Sequence, residues 1–270
     1  MAVVERLWCV VPAAGRGVRL GAQLPKQYVA LAGQPLLLWT LQRLAATPRI
    51  AGLMVVLAAD DPHWPKLDAL LMRNEFRIQS TESIPHPWRP PLAQGYSNYL
   101  SVATIDGKPV LTAIGEAERS GSVLAGLRAL PDSVGAEAFV LVHDAVRPCV
   151  AVDDIERLIE VGSAAGGGLL AAPLRDTLKL GGRDARVVAT EPRESRWRAL
   201  TPQLFRRGEL MRALARAADD GVAITDEAMA MEHAGHRPLL VEGTESNIKV
   251  TTLADLALAE FLLRGLGTEG

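Results

Sequence analysis

The chain lacks most features that would place it in several large functional classes. It has 2 cysteines in 270 residues, Cys9 and Cys149. That is too few, and too widely spaced, for a zinc-ligand set or a disulfide framework, so two buried thiols in a reducing compartment are expected. Its net charge of -2 lacks the basic excess of a general nucleic-acid binder. No apolar run reaches membrane-spanning length, and the opening apolar run is interrupted by Glu5 and Arg6, unlike a secretory signal. Neither a nucleic-acid nor a membrane partner is expected, and the expected setting is cytoplasmic. Two common phosphate-binding strings are also missing. No Gly-Lys-Ser/Thr stands at P-loop spacing, and after Gly15 and Gly17 the next glycine is Gly21, one place too late for G-x-G-x-x-G.

What is present begins with an apolar strand, Leu7 to Val11, that runs into Pro12-Ala13-Ala14-Gly15-Arg16-Gly17-Val18-Arg19 and then Pro25-Lys26-Gln27. Glycines let backbone N–H groups approach an anion closely, and Arg19 and Lys26 bring positive charge to the same loop. This is equipment for holding a triphosphate while one of its phosphorus atoms is attacked. The fork of Arg19 and the point charge of Lys26 are suited to the charge that develops on that phosphorus.

Short aliphatic runs alternate with longer helical patterns, which points to βαβ units and a mostly parallel sheet. Strands are expected at Leu7–Val11, Leu53–Leu57, Val110–Ile114, Phe139–Val142, Gly168–Ala172 and Arg237–Val241. Helices are expected at Leu36–Ala46, Ser120–Leu130, Asp153–Ala164, Gly208–Ala218, Asp226–His233 and Leu253–Leu263, with Asp153 and Thr252 as N-caps. The loop after Leu7–Val11, the Arg119–Ser122 segment and Asp144 all follow strand ends, where ligands of such sheets bind. Two segments break the alternation. Residues 173–197 hold a hairpin signal, Thr177–Leu180 and Ala185–Ala189 around Gly181-Gly182. Residues 79–108 hold Pro85, Pro87, Pro90 and Pro91, which exclude a core helix.

The first loop and its Pro25-Lys26-Gln27-Tyr28 sequel resemble the signature of the 2-C-methyl-D-erythritol 4-phosphate cytidylyltransferase family. The resemblance continues in order through Arg119-x-x-Ser122-Val123-Leu124, Val142-His143-Asp144-Ala145-Val146-Arg147-Pro148 and Arg175-Asp176-Thr177. It then takes in Ala199-Leu200-Thr201-Pro202-Gln203, Thr225-Asp226-Glu227 and Asn247-Ile248-Lys249-Val250-Thr251. The resemblance implies one nucleotidyltransferase domain over 1–270: a Rossmann-like, mostly parallel α/β sheet flanked by helices, with a protruding β-arm. It implies transfer of CMP from CTP to 2-C-methyl-D-erythritol 4-phosphate, with Mg²⁺, and release of pyrophosphate.

By the same resemblance Arg19 and Lys26 are catalytic. Pro12, Ala13, Ala14, Gly15, Gly17, Ser122, Asp144, Ala145 and Lys249 surround the nucleotide, and Asp144 also takes the metal. Thr177, Arg193 and Thr201 hold the polyol phosphate. The 173–197 arm would exchange between subunits of a homodimer; an ordinary surface hairpin is the alternative. His143 is expected to fasten its own loop. Arg147 is expected either to balance Asp144 or to form a plain structural ion pair, and Asp226 either to cap a helix or to support the metal region or Lys249. Two departures stand out: Gly115-Glu116 where the family commonly has Gly-Gly, and the 79–108 insertion. Transfer to another polyol phosphate such as ribitol 5-phosphate is one competing function, and a nucleotide-binding regulator without turnover is another.

Overall fold

The computed structural model describes residues 6–15, 17, 24–67 and 102–266. Arg19, and the proline-rich segment up to residue 101, lie outside the described residues. In chain order the strands are β1 Leu7–Pro12, β2 Ala30–Leu31, β3 Gln34–Pro35, β4 Ile50–Leu57, β5 Val102–Ile105, β6 Lys108–Ile114, β7 Phe139–Val142, β8 Gly168–Pro173, β9 Leu178–Gly181, β10 Val187–Glu191, β11 Trp197–Arg206 and β12 Leu239–Glu242. The helices are α1 Leu36–Ala46, α2 Arg119–Arg128, α3 Val152–Arg157, α4 Arg207–Asp219, α5 Glu227–His233 and α6 Leu253–Leu266, and a wider π turn at Leu158–Gly162 prolongs α3.

Eight strands form one sheet in the order β12-β8-β11-β7-β1-β4-β6-β5. β1 lies parallel to both β4 and β7, and β4 lies parallel to β6. β1 is buried on both faces, which is why it reads as an unbroken apolar run rather than an alternation. Leu7, Cys9 and Val11 join the core beneath α1 and α3, while Trp8 and Val10 join the core beneath α2 and α4. From β1 the chain steps out to β4 and β6, then returns to the other side of β1 as β7. The order therefore reverses at β1, and the crevice beyond the carboxyl ends there is where such sheets take their ligands. α2 lies unusually close over that point. A Cβ on Gly126 would stand 2.6 Å from Val56 and 2.7 Å from Val10, so only glycine admits this approach.

The expected alternation is found, with four corrections. β11 was not foreseen as a strand, yet it runs antiparallel between β7 and β8. Its pattern is broken by Thr201-Pro202-Gln203, where the register slips and the polar side chains serve neighbouring loops. The end of the proline-rich segment is not irregular: Val102–Ile105 is an edge strand, antiparallel to β6. α3 is not capped by Asp153. Ala151 stands at that position without a side-chain cap, and Asp154 instead accepts from Thr244 N and Oγ1 at 2.7 and 2.9 Å. The 173–197 hairpin is present but shifted, pairing Leu178–Gly181 with Val187–Glu191. The Thr252 cap is as expected: its Oγ1 accepts from Asp255 N at 3.2 Å, and Asp255 Oδ2 accepts from Thr252 N at 2.8 Å.

Candidate active site

A cleft of about 180 Å³ opens at the reversal point. Its walls come from separate stretches of chain: Pro12 to Gly15 with Gly17 after β1, Lys26 and Gln27, Glu116 to Arg119 with Ser122 around the start of α2, Asp144 to Val146 after β7, and Lys249. All nine residues expected around the nucleotide thus meet in one place. Lys26 arrives through a short helical turn whose first N–H donates to Gly17 O at 3.3 Å. Gln27, which carried no expected role, is 5 % exposed and donates from Nε2 to Ala13 O (2.7 Å) and Gly15 O (3.0 Å). It thereby draws the lysine turn onto the glycine loop. The quoted Pro-Lys-Gln string contained the signal.

Ser122 closes the opposite wall. Its hydroxyl accepts from Glu116 N at 3.0 Å and donates to Glu116 O at 3.0 Å, so it pins the loop that carries the departure from the family pattern. Gly115 is required there, since a Cβ would stand 2.7 Å from Ser122 Oγ and 2.8 Å from Ala14 Cβ.

The charged floor is built around Asp144. Its Oδ1 meets Arg119 Nε and Nη2 at 3.1 Å, and its Oδ2 meets Lys249 Nζ at 3.0 Å and Arg147 Nε at 3.3 Å. Burial works to raise the Asp144 pKa, but these three cations prevail and hold it well below the usual carboxylate range. On its far side Arg119 forms a fork with Glu227, at 2.6 Å (Nη1 to Oε1) and 3.2 Å (Nη2 to Oε2). Glu227 is fully buried, and burial raises its pKa although Arg119 pulls against the rise. These three cations and two carboxylates sum to one net positive charge in the floor beneath the cleft. Neither Arg119 nor Glu227 was singled out from the sequence. Arg119 stood only as the edge of a motif, and nothing local joins it to a residue 108 positions away.

The loop bearing Asp144 is fastened by neutral groups. His143 must donate from Nε2 to Arg147 O (3.1 Å), which leaves Nδ1 to accept from Thr201 Oγ1 (3.0 Å). Complete burial lowers the His143 pKa to about 4, so the ring is neutral, and the expected fastening role holds. Thr201 Oγ1 also accepts from Asp144 N at 3.1 Å, and Thr201 is 4 % exposed. Its hydroxyl therefore holds the loop, and its second lone pair is left to accept a further hydrogen bond. Lys249 is delivered by Val250 N, which donates to Val146 O at 2.9 Å, and by Arg147 Nη1, which donates to Asn247 O at 2.7 Å. Asp226 caps α5 by accepting from Met229 N at 2.9 Å, and its other oxygen accepts from Gln203 Nε2 at 3.0 Å. Thr177 and Arg193 lie on the exposed hairpin region and do not line this chain's own cleft.

The sequence profile of the 2-C-methyl-D-erythritol 4-phosphate cytidylyltransferase family matches residues 7–78 and 94–265. Residues 79–93, within the proline-rich segment, fall between the matched stretches. A protein of that name from Xanthomonas euvesicatoria pv. vesicatoria is 53 % identical over 264 residues, covering 97 % of this chain and 87 % of its own. Another from Stenotrophomonas maltophilia is 53 % identical over 258 residues, covering 95 % and 96 %. Among solved structures, the cytidylyltransferase of Francisella tularensis superposes with a TM-score of 0.69 at 28 % identity, covering 96 % of this chain and 100 % of that one. The Thermus thermophilus enzyme does so with 0.68 at 27 %, covering 96 % and 100 %.

Proposed function

This chain belongs to the 2-C-methyl-D-erythritol 4-phosphate cytidylyltransferase family, and on that premise we propose that it transfers CMP from CTP to 2-C-methyl-D-erythritol 4-phosphate, a step of isoprenoid precursor synthesis. The observation that carries the reading is the meeting of the β1 loop, Lys26, Asp144 and Lys249 in one cleft at the reversal point of the sheet. A phosphate oxygen of the acceptor forms a bond to the α-phosphorus of CTP. The bond from that phosphorus to the bridging oxygen breaks, and pyrophosphate leaves with the electron pair. The acceptor phosphate dianion is already nucleophilic, so no side chain has to remove a proton. The protein's contribution is alignment and charge.

The backbone of Ala13, Ala14 and Gly15 and the wall held by Ser122 embrace the nucleotide. Lys26, with Arg19, balances charge growing on the α-phosphate. The donor set suits Mg²⁺. The described residues contain no cluster of three His, Cys, Asp or Glu, and Mg²⁺ typically takes one or two carboxylates with substrate phosphates and water. Asp144 would hold the ion, which when bound supplies positive charge to the triphosphate. Lys249, whose side chain is 42 % exposed, can then leave the carboxylate for a phosphate.

Thr177 and Arg193 act in this reading on a neighbouring subunit's acceptor. The hairpin supports that role by exposing Leu180, Val187 and Val188, an apolar tip for a second copy to cover. Val188→Glu is expected to turn a dimer into a monomer in sedimentation velocity, and unchanged sedimentation overturns the arm's role. Among the described residues no helix is long and apolar enough to cross a membrane. The two buried free thiols suit a reducing, cytoplasmic setting.

The test is pyrophosphate release with the wild-type protein and Mg²⁺. Methylerythritol phosphate with CTP is expected to give turnover, and UTP or ribitol 5-phosphate much less. Faster turnover with ribitol 5-phosphate would replace the acceptor, and no release with any pair would make the chain a nucleotide-binding regulator.

A further inference from the structure

Arg119 lines the cleft, yet its donors are already committed. Its Nε faces Asp144, its Nη2 faces both Asp144 and Glu227, and its Nη1 faces Glu227. That engages four of the five N–H bonds of a guanidinium. Arg119 therefore works as a strut between two carboxylates rather than as a free phosphate ligand. Glu227 cannot yield, because it is the first residue of α5 and that helix start is bolted to β11. Asp226 Oδ2 accepts from Gln203 Nε2 at 3.0 Å, and Ala228 N donates to Gln203 Oε1 at 2.7 Å. Gln203 and Glu227 are both buried.

We infer that Glu227 is a positioning residue: acting through Arg119, it sets how tightly Asp144 binds a divalent cation. The inference rests on the proposed metal role of Asp144. Two carboxylates share one guanidinium, so Asp144 bears only part of Arg119's charge. Without the Glu227 charge the whole cation turns onto Asp144, and an arriving divalent ion meets one more uncompensated positive charge. At an effective dielectric of about 20, one unit charge within about 10 Å of a divalent ion changes its binding by roughly tenfold or more.

The test is a titration of the full chain with Mn²⁺, followed by the loss of the free-ion EPR signal, without nucleotide and again with CTP but no acceptor. Glu227→Gln keeps the shape and removes the charge, and it is expected to weaken Mn²⁺ by roughly tenfold or more. Arg119→Gln is expected to tighten it, and the double variant to return toward wild type. Thermal unfolding reports folding, and if Glu227→Gln does not fold, Arg119→Gln and the double variant carry the test. A Glu227→Gln protein that melts earlier but binds Mn²⁺ as wild type does would make Glu227 a structural anchor only. Equal weakening with and without Arg119 would also overturn the inference. Failure of the wild type to bind Mn²⁺ in either condition would instead overturn the metal role of Asp144 itself.

Discussion

At the cleft, Arg119 meets Glu227 at 2.6 Å, with the carboxylate side chain 1 % exposed; on the hairpin, Arg186 meets Asp184 at 3.5 Å, with side chains 87 % and 64 % exposed. Both are arginine–carboxylate pairs, but water separates their consequences. An exposed pair exchanges one screened environment for another and is worth at most about 1 kcal/mol. A buried pair has lost its hydration, so removing one partner costs about 3–5 kcal/mol. The apolar side chains divide in the same way. Val10 and Val56 are sealed between the sheet and α2, whereas Val187 and Val188 on the hairpin are each 65 % exposed. The described walls of the cleft all come from one chain. The hairpin carries groups that gain a role only when something covers them.

The sharpest way to break this contrast is at Lys26. Lys26→Ala is expected to lower kcat by about a hundredfold or more while CTP affinity changes little, because its charge is needed most as the α-phosphate rearranges. Equal losses in both would reduce Lys26 to a binding residue.

A smaller effect lies in the acid range. The folded-state pKa of His143 is about 4 against an ordinary 6.5, so between those values the unfolded chain binds more protons. Stability contributed by the neutral ring is whole above pH 6.5 and declines as pH falls toward about 4, by up to ~3 kcal/mol. Asp144, with its depressed pKa, loses its contribution only below the ordinary carboxylate range. Glu227, with a raised pKa, works in the opposite sense. Urea unfolding of the wild type and His143→Gln across this window isolates the histidine, and parallel curves would remove it as the cause.

The smallest effect is expected on the hairpin. Arg186→Ala should change stability by less than about 0.5 kcal/mol, and a loss like that of a buried pair would show that the hairpin is not the exposed element seen here.

Much of the site was legible because its chemistry is local. An apolar run passing into a glycine loop announces a strand end with an anion cradle, and Phe139–Val142 followed by His143-Asp144 announces a second strand end beside it. Thr252 with Asp255 is a capping pattern within four residues. The misses share a different cause. β11 hid because Thr201, Pro202 and Gln203 break its alternation in the service of other segments. The part Thr201 plays in holding the Asp144 loop was not legible, because the motif around it does not reveal that its hydroxyl meets His143 and Asp144 N. The role of Gln27 depends on carbonyls 12 and 14 positions away.

Residue order alone determined the glycine loop and its lysine, the carboxylate behind a strand, and the alternation that builds a mostly parallel sheet. Each of these follows from periodicity or backbone freedom within a dozen residues. Only the folded chain decided that Asp144 is shared among Arg119, Arg147 and Lys249, and that Glu227 backs Arg119 from 108 positions away. Such charge balances depend on distance and burial in space, and neither leaves a mark on neighbouring residues along the chain.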